Sequence, residues 1–299
     1  MNKVLFVLFS FLAISAVAQD DLMGMLEGEV EAEKTPEKVI ATFKGIKLIN
    51  AQTVQTTKKR TLEFRITHRF GDMGGPDGKH TVWGLDNASN IRFSFDYGVT
   101  DKLSIGWGRS KMNEHIDVHA KFRFLEQKKG GIPISAAYYV NGAISPVKNI
   151  PNDDFNNRLS YVHQLIIASK LNKAISLEIL PTLVHRNYVD QTISSIDDST
   201  VVDQNNLISI GFAGRFKITK RLAFVVDYFF TLSDFRTPGN GFYDPLAIGV
   251  EIETGGHVFH INVTNSAGII ENDFIPNTTS SWDDGEYKLG FNISRVFSF

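Results

Sequence analysis

His115, Asp117 and His119 alternate along one stretch of chain, so on a β-strand all three point to the same face. Two imidazoles and a carboxylate could hold a metal ion if a neighbouring strand supplied a fourth ligand. Ligands at i and i+2 on a strand stand about 6–7 Å apart. No other sequence feature marks a partner, so polar lining of a cavity is the favoured role, and neither metal nor cofactor is expected. His257 and His260 fall on opposite faces and make no pair. Cysteine is absent, which removes thiol catalysis, a Cys-ligated metal, a disulfide scaffold and a lipid-modified N-terminal Cys.

A larger set of charged side chains shares one register. The basic members are Arg65, Arg69, Arg92, Lys121, Arg123, Arg215, Lys217 and Lys288; the acidic ones are Glu63, Asp96, Asp117, Asp227 and Glu251, with His119 among them. If these line an aqueous bore, basic residues lead and a pore leans towards anions. If facing strands pair them, they fill and stiffen a narrow barrel instead.

The elements that position these charges have a period of two from Thr61 onward. Leu62, Phe64 and Ile66 alternate with Glu63, Arg65 and Thr67; Ile91, Phe93, Phe95 and Tyr97 alternate with Arg92, Ser94 and Asp96. Leu103, Ile105 and Trp107 follow, then Ile116, Val118, Ala120, Phe122 and Phe124 against Asp117, His119, Lys121 and Arg123. Each segment therefore has one apolar wall and one charged wall. Further strands are expected near 132–144, 157–170, 174–188, 205–218, 221–234, 245–253, 257–265 and 286–299. Two of these, 157–170 and 174–188, carry apolar residues in both registers, and a bulge is expected there.

The connections alternate in length. Links at 71–90, 145–156, 189–204, 235–244 and 266–285 are long, whereas Thr100-Asp101-Lys102, Leu171-Asn172-Lys173, Thr219-Lys220-Arg221 and Thr254-Gly255-Gly256 are tight; only 111–114 breaks the rule. Outer-membrane barrels have short periplasmic turns and longer extracellular loops, and an even strand count puts both termini in the periplasm. A soluble sandwich does not sort its loops by parity. About twelve strands of average hydropathy, apolar on alternate residues, fit a closed membrane barrel with lipid outside. No run past the N-terminus reaches the roughly 18–20 apolar residues of a membrane helix.

Residues 4–17 form a short apolar run behind Lys3 and end in Ala16-Val17-Ala18, the small-x-small form of a signal-peptidase site. The expected organisation is a signal peptide at 1–18, a periplasmic N-terminal segment at 19–58 that could enter the barrel mouth, and an outer-membrane barrel at 59–299. The net charge of −2 offers no basic field for nucleic acid. The last strand closes on Phe299, which resembles the signal by which the barrel-assembly machinery recognises its clients; Arg295 stands in its outward register. A bulge turns it inward or it snorkels to headgroups.

TFKGIKLIN at 42–50, LEFRITHRFGDM at 62–73, GLDNASNIRF at 84–93 and DYGVTDKLSIGWGRS at 96–110 resemble a family of β-barrel proteins of unknown function from Bacteroidetes. The resemblance implies an all-β, up-and-down transmembrane barrel in the outer membrane of a Gram-negative bacterium, among outer-membrane lipids, and implies no activity. The leading expectation is a small-solute pore narrowed by the segment 36–56. The alternative is a closed barrel that docks envelope proteins. A membrane-embedded hydrolase using outward His68 with Ser110 comes a distant third, and no enzyme activity is expected.

Overall fold

The structure, a computed structural model, describes residues 37–147, 154–189, 193–196 and 199–299. The signal peptide and the acidic lead-in expected before residue 37 lie outside these residues. Lys38–Phe299 forms one compact unit, which carries the fold.

Twelve strands close into one antiparallel barrel, each bonded to its sequence neighbours within the ring. They are β1 (Thr61–Asp72), β2 (Ala88–Gly98), β3 (Leu103–Ser110), β4 (Ile116–Leu125), β5 (Ser135–Ile144), β6 (Leu159–Lys170), β7 (Ile175–Arg186), β10 (Asn206–Lys217), β11 (Leu222–Leu232), β12 (Leu246–Thr254), β13 (His257–Thr264) and β14 (Lys288–Ser298). A separate two-stranded sheet, β8 (Ile193–Ile196) with β9 (Ser199–Val202), sits in the link between β7 and β10. Pairing of β1 with β14, from Thr61↔Ser298 to Arg69↔Gly290, closes the ring. Closure leaves no strand edge unpaired, the condition for crossing hydrocarbon.

Three of the short turns use one device. The Thr100 hydroxyl accepts the N–H of Lys102 and Leu103 at 3.1 and 3.0 Å, and Thr219 does the same for Arg221 and Leu222 at 3.2 and 3.0 Å. Asn172 accepts from Ala174 and Ile175 at 2.8 and 2.9 Å. Side-chain oxygens that capture the backbone two and three residues on make a reversal tight. They set the register of the strands on either side.

Alternation places the aromatics outside. Phe93, Tyr97, Trp107, Phe122, Phe124, Phe212 and Phe230 are exposed on the barrel wall. Phe64, Phe95 and Trp107 run across three strands with ring centroids 4.9 and 5.2 Å apart, a cross-strand ladder that stiffens the lipid face.

The bulge expected in β6 and β7 is absent. Their pairing runs from Ser160↔Arg186 through Lys170↔Ser176 without a register shift, and the irregularities fall instead at Arg69–Asp72 and Arg123–Leu125. The inward residues Val162, Ile166, Leu180 and Val184 are fully buried because they pack against material inside the barrel. Apolar side chains on both faces therefore mark a wall packed on both sides. Arg295 stays outward: it pairs in register with Phe64, remains exposed, and its guanidinium lies 5.0 Å from the centroid of the Phe297 ring.

Candidate functional site: a lumen filled from both mouths

Residues 38–60 enter the barrel from the mouth of the short turns and leave by the same mouth. Lys38 bridges Lys128 on the way in and Lys59 bridges Gly98 on the way out. Between them the chain reverses at 47–52, where Lys47 bridges Gln52 and Leu48 N–H donates to Ala51 at 2.9 Å. Expected to enter the barrel mouth, the segment goes deeper, and its tip reaches the middle of β11. Asp227 there accepts the backbone N–H of Asn50 at 2.8 Å and of Ala51 at 3.3 Å, and the Asn50 amide at 3.1 Å.

An irregular backbone inside a barrel has carbonyls with no ladder partner, and each must find a donor. The lumen wall supplies them. Lys121 Nζ donates to the carbonyls of Ile46, Thr53 and Gln55 at 2.7, 3.0 and 3.3 Å. Asn292 donates to those of Leu48 and Ile49 at 3.1 and 3.2 Å. Arg69 Nη2 reaches Ile49 O at 3.4 Å and the Asn50 side chain at 3.2 Å, while Arg123 Nη1 donates to Gln55 Oε1 at 3.1 Å.

A second insert descends from the opposite mouth. A one-turn helix, α1 (Gly75–Gly78), lies in the link after β1; the long link 265–287, expected as an outward loop, folds back into the barrel, and its helix α2 (Glu271–Asn277) is buried at Glu271 through Pro276. Phe274 meets Phe229 edge to face with ring centroids 4.9 Å apart. Lys47 Nζ donates to Ile269 O at 2.7 Å, joining the two inserts. Gly-Ile-Ile-Glu-Asn-Asp-Phe-Ile at 268–275 is the signal sequence reasoning passed over, since an apolar stretch in a long loop calls for cover. At the base of this insert Lys288 Nζ donates to Ser280 Oγ at 2.8 Å and pairs with Asp72.

All fourteen lumen candidates lie in inward registers, and thirteen sit within the bore or at its edge. Lys217 is the exception: it ends β10 exposed at the mouth, because the strand runs out there. The charges meet one another. Arg92 clamps Asp117 through both Nη atoms, the longer contact being 2.9 Å, and His119 bridges Asp96 at 2.7 Å and Asp117 at 3.2 Å. Arg65 pairs with Glu63 at 2.6 Å, and Arg215 with Glu251 at 2.7 Å, which His260 approaches at 3.2 Å. Glu178, hidden from sequence reasoning by the ambiguous register of β7, adds a further buried inward carboxylate. The excess of basic groups read from sequence is therefore largely paired. Glycines make the clamp possible: a Cβ on Gly106 would collide with the His119 ring and one on Gly108 with the Arg92 guanidinium.

His115, Asp117 and His119 do not converge. His115 turns 2.9 Å to Asp273 on the second insert, and among the described residues no group of three His, Asp or Glu side chains could hold a metal. His68 and Ser110 stand on opposite sides of the wall. His68 stacks on Phe291 outside, at 5.3 Å between centroids, while Ser110 accepts from Arg92 inside at 3.2 Å. The hydrolase pairing is overturned, because Ser110 has lumen parity.

Between Lys47, Arg65, Arg92 and His119 a cavity of only about 20 Å³ remains. Each mouth opens into a larger vestibule, about 830 Å³ beside Lys38, Lys58 and Arg123 and about 360 Å³ beside Arg158, Arg186 and Asn272. Around the second, Arg186 and Arg236 share Asp203 at 3.1 and 2.5 Å, and Arg236 also donates to the carbonyl of Pro276 at the end of α2. Burial pushes the Asp203 carboxyl up, but the hydrogen bonds and charge of the two guanidiniums outweigh it and hold the group below its ordinary value. The concavity of about 850 Å³ over Ala120, Val140 and Gly142 lies on the outer wall and faces lipid.

A closed twelve-stranded antiparallel barrel, aromatic outside and filled within by two inserts and paired charges, defines a membrane-spanning β-barrel. The chain belongs to the family of the membrane-bound β-barrel domain DUF5777, whose profile matches residues 43–297. The match begins at Phe43, so the family unit includes the first insert. The protein is a barrel of the bacterial outer membrane, the setting of such folds. No curated protein matches the sequence. Solved structures similar to it include the NanC porin (12% identity, 80% of this chain and 99% of that chain, TM-score 0.48) and the KdgM porin in complex with disordered oligogalacturonate (6%, 80% and 99%, 0.47). The COG4313 outer membrane channel from Pseudomonas putida F1 is a third (10%, 82% and 98%, 0.48).

Proposed function

We propose that this barrel is a small-solute channel whose resting state is shut by residues 38–60. One observation carries the reading: the segment enters and leaves by a single mouth, so it can withdraw without unthreading. The short turns flank that mouth. In outer-membrane barrels these are periplasmic, which would put both termini and the handle of the plug on the periplasmic side. The Lys121, Arg69, Asn292 and Asp227 contacts of the plug are hydrogen bonds that water can replace. The paired charges left behind would line one side of the bore and give weak preference between anions and cations.

Withdrawal has a cost. Phe43, Leu48 and Ile49 are at most 1% exposed. Returning three such side chains to water opposes opening by about 5–9 kcal/mol at roughly 1.5–3 kcal/mol each. At about 1.4 kcal/mol per decade that leaves an open fraction on the order of 10⁻⁴ or less. Opening then needs a pull from an envelope partner on the N-terminal side. The same apolar core favours the second reading, a permanently closed barrel that docks envelope proteins through its long links. Outer-membrane lipids and the assembly machinery are the partners either reading shares.

Planar-bilayer conductance separates the two. The chain from Gln19 should be silent, and a chain lacking 19–58 should show steady conductance. Asp227→Ala, which frees the tip without removing the plug, should give brief openings and serves if the deletion does not fold. Silence from both variants, with the barrels shown folded by heat-modifiable migration, would establish the closed scaffold.

A further inference from the structure

Two basic turns lie side by side at the short-turn mouth. The reversal from β6 to β7 carries Lys170 and Lys173, and the reversal from β10 to β11 carries Lys217, Lys220 and Arg221. Strands β7 and β10 are paired, and the backbone N–H of Lys217 donates to Ala174 O at 2.7 Å, so the two turns are neighbours. Neither 170–175 nor 217–222 contains a carboxylate. The acidic side chains of the other short turns and strand ends at this mouth are already engaged. Glu253 pairs with Lys44 at 2.8 Å, and Glu126 with Lys38 at 2.8 Å and Arg123 at 3.2 Å. Asp101 accepts the backbone N–H of Lys59 at 3.0 Å. Lys170 turns inward to the carbonyls of Ile40 and Ala41 at 3.0 and 3.2 Å. Lys173, Lys217, Lys220 and Arg221 are exposed and have no carboxylate partner among the described residues. In the long links at the other mouth acidic side chains outnumber basic ones among the described residues, so this positive patch is local.

The apolar residues of the same two turns show what lies opposite. Leu171 and Ile218 are the first residues past the ends of β6 and β10, continue the outward registers of those strands, and are 60% and 61% exposed. Outward apolar side chains there are favourable where hydrocarbon reaches the turns. Lysine and arginine stems lie along such a surface and carry their charges up to the headgroup layer. Four cations without carboxylate partners then face that layer. Each is attracted by anionic lipid, and the planar fork of Arg221 matches a phosphate. A zwitterionic headgroup brings its own cation and cancels much of that attraction.

We propose that the patch formed by these two turns binds an anionic phospholipid of the leaflet around the short-turn mouth. Lys173, Lys220 and Arg221 hold its phosphate, and its acyl chains lie along Leu171 and Ile218. Because Lys170 ties the β6–β7 turn to Ile40 and Ala41, the lipid sits beside the entrance of the first insert. The inference rests on the membrane setting and does not require the channel reading.

Native mass spectrometry of the detergent-solubilised chain tests it, with equimolar phosphatidylglycerol and phosphatidylcholine of identical acyl chains. The intact chain should retain phosphatidylglycerol over phosphatidylcholine by about tenfold or more, since each basic side chain near an anionic headgroup is worth about fivefold. Replacing Lys173, Lys220 and Arg221 together by Gln should bring the two lipids to within about threefold of one another. Thr219 and Asn172, which hold the turns, are untouched, and heat-modifiable migration checks the fold. Lys79→Gln with Lys111→Gln, at the other mouth, should leave the preference unchanged. Equal retention of the two lipids by the intact chain, full preference in the triple variant, or an equal loss in the control pair would overturn the proposal. Displacement of the lipid by excess sn-glycerol 3-phosphate would reduce the patch to a site for free anions and overturn it too. A chain lacking 19–36 should keep the preference. Preference that appears only after that deletion would make the chain's own acidic residues, Asp20 to Glu33, the occupant. None of these outcomes bears on conductance, and a silent bilayer would leave the lipid result standing.

Discussion

Two halves of the lumen wall, built from the same period-two strands, hold the first insert by different means. From β5 through β11 the inward residues include Ala137, Tyr139, Val162, Ile166, Leu180, Val184, Leu207, Val225 and Phe229, and they form one core with Phe43, Leu48, Ile49 and Val54 of the insert. From β12 round through β4 the inward residues include Glu251, His260, Asn292, Glu63, Arg65, Arg69, Arg92, Asp117 and Lys121, which pair with inward charges or with the insert. The apolar half provides adhesion without direction, since burial is proportional to area and indifferent to register. The polar half provides direction, because each buried carbonyl must meet a particular donor. Water facing the apolar half would be costly, so that half explains why the bore is filled, and the polar half explains how the filling is aligned.

The comparison can be broken from either side. Phe274→Ala attacks the apolar half and should have the largest effect, about 3–5 kcal/mol of stability lost, the usual cost of emptying a buried aromatic site. Chemical denaturation in micelles would read it, and a loss under 1 kcal/mol would mean that the apolar half is not a packed core. Asp227→Ala attacks the polar grip at the one carboxylate by which β11, in the apolar half, holds the tip backbone. It strands two backbone N–H groups of the tip at about 1–3 kcal/mol, and hydrogen exchange at Asn50 and Ala51 should rise while exchange in the barrel strands stays unchanged. Protection retained at those two amides would show that the apolar contacts alone align the tip.

The smallest effect concerns the clamp outside both halves. The Asp203 carboxyl is held below its ordinary value by Arg186 and Arg236, against the upward push of burial. Its contribution is therefore fully present above the unfolded carboxylate range, near pH 4, and is lost as pH falls through the lower folded value. Limited pepsin digestion around pH 3 should cut the 187–205 and 233–245 links faster as pH drops. An Asp203→Asn chain should be cut readily across that whole range. Identical digestion of the two chains at every pH would remove Asp203 from the account.

Much of this was legible from residue order. The twelve strands, their limits to within about three residues, the inward placement of Arg65, Arg92, Asp117 and Lys121, and the outward aromatics all follow from alternation, because a strand's side chains have a period of two whatever surrounds them. The turns at Thr100, Asn172 and Thr219 were readable for the same local reason. Three things were not. That Val162, Ile166, Leu180 and Val184 face an interior core and not a bulge depends on chain more than a hundred residues away. That 268–275 turns inward depends on the space left by twelve closed strands. That Lys121 and Arg69 satisfy the backbone of an insert, and do not line an open bore, depends on both. Local periodicity determined the wall; its contents were decided only in three dimensions, since the partners of a buried carbonyl or an inward leucine are chosen by closure of the barrel and not by neighbours in the chain.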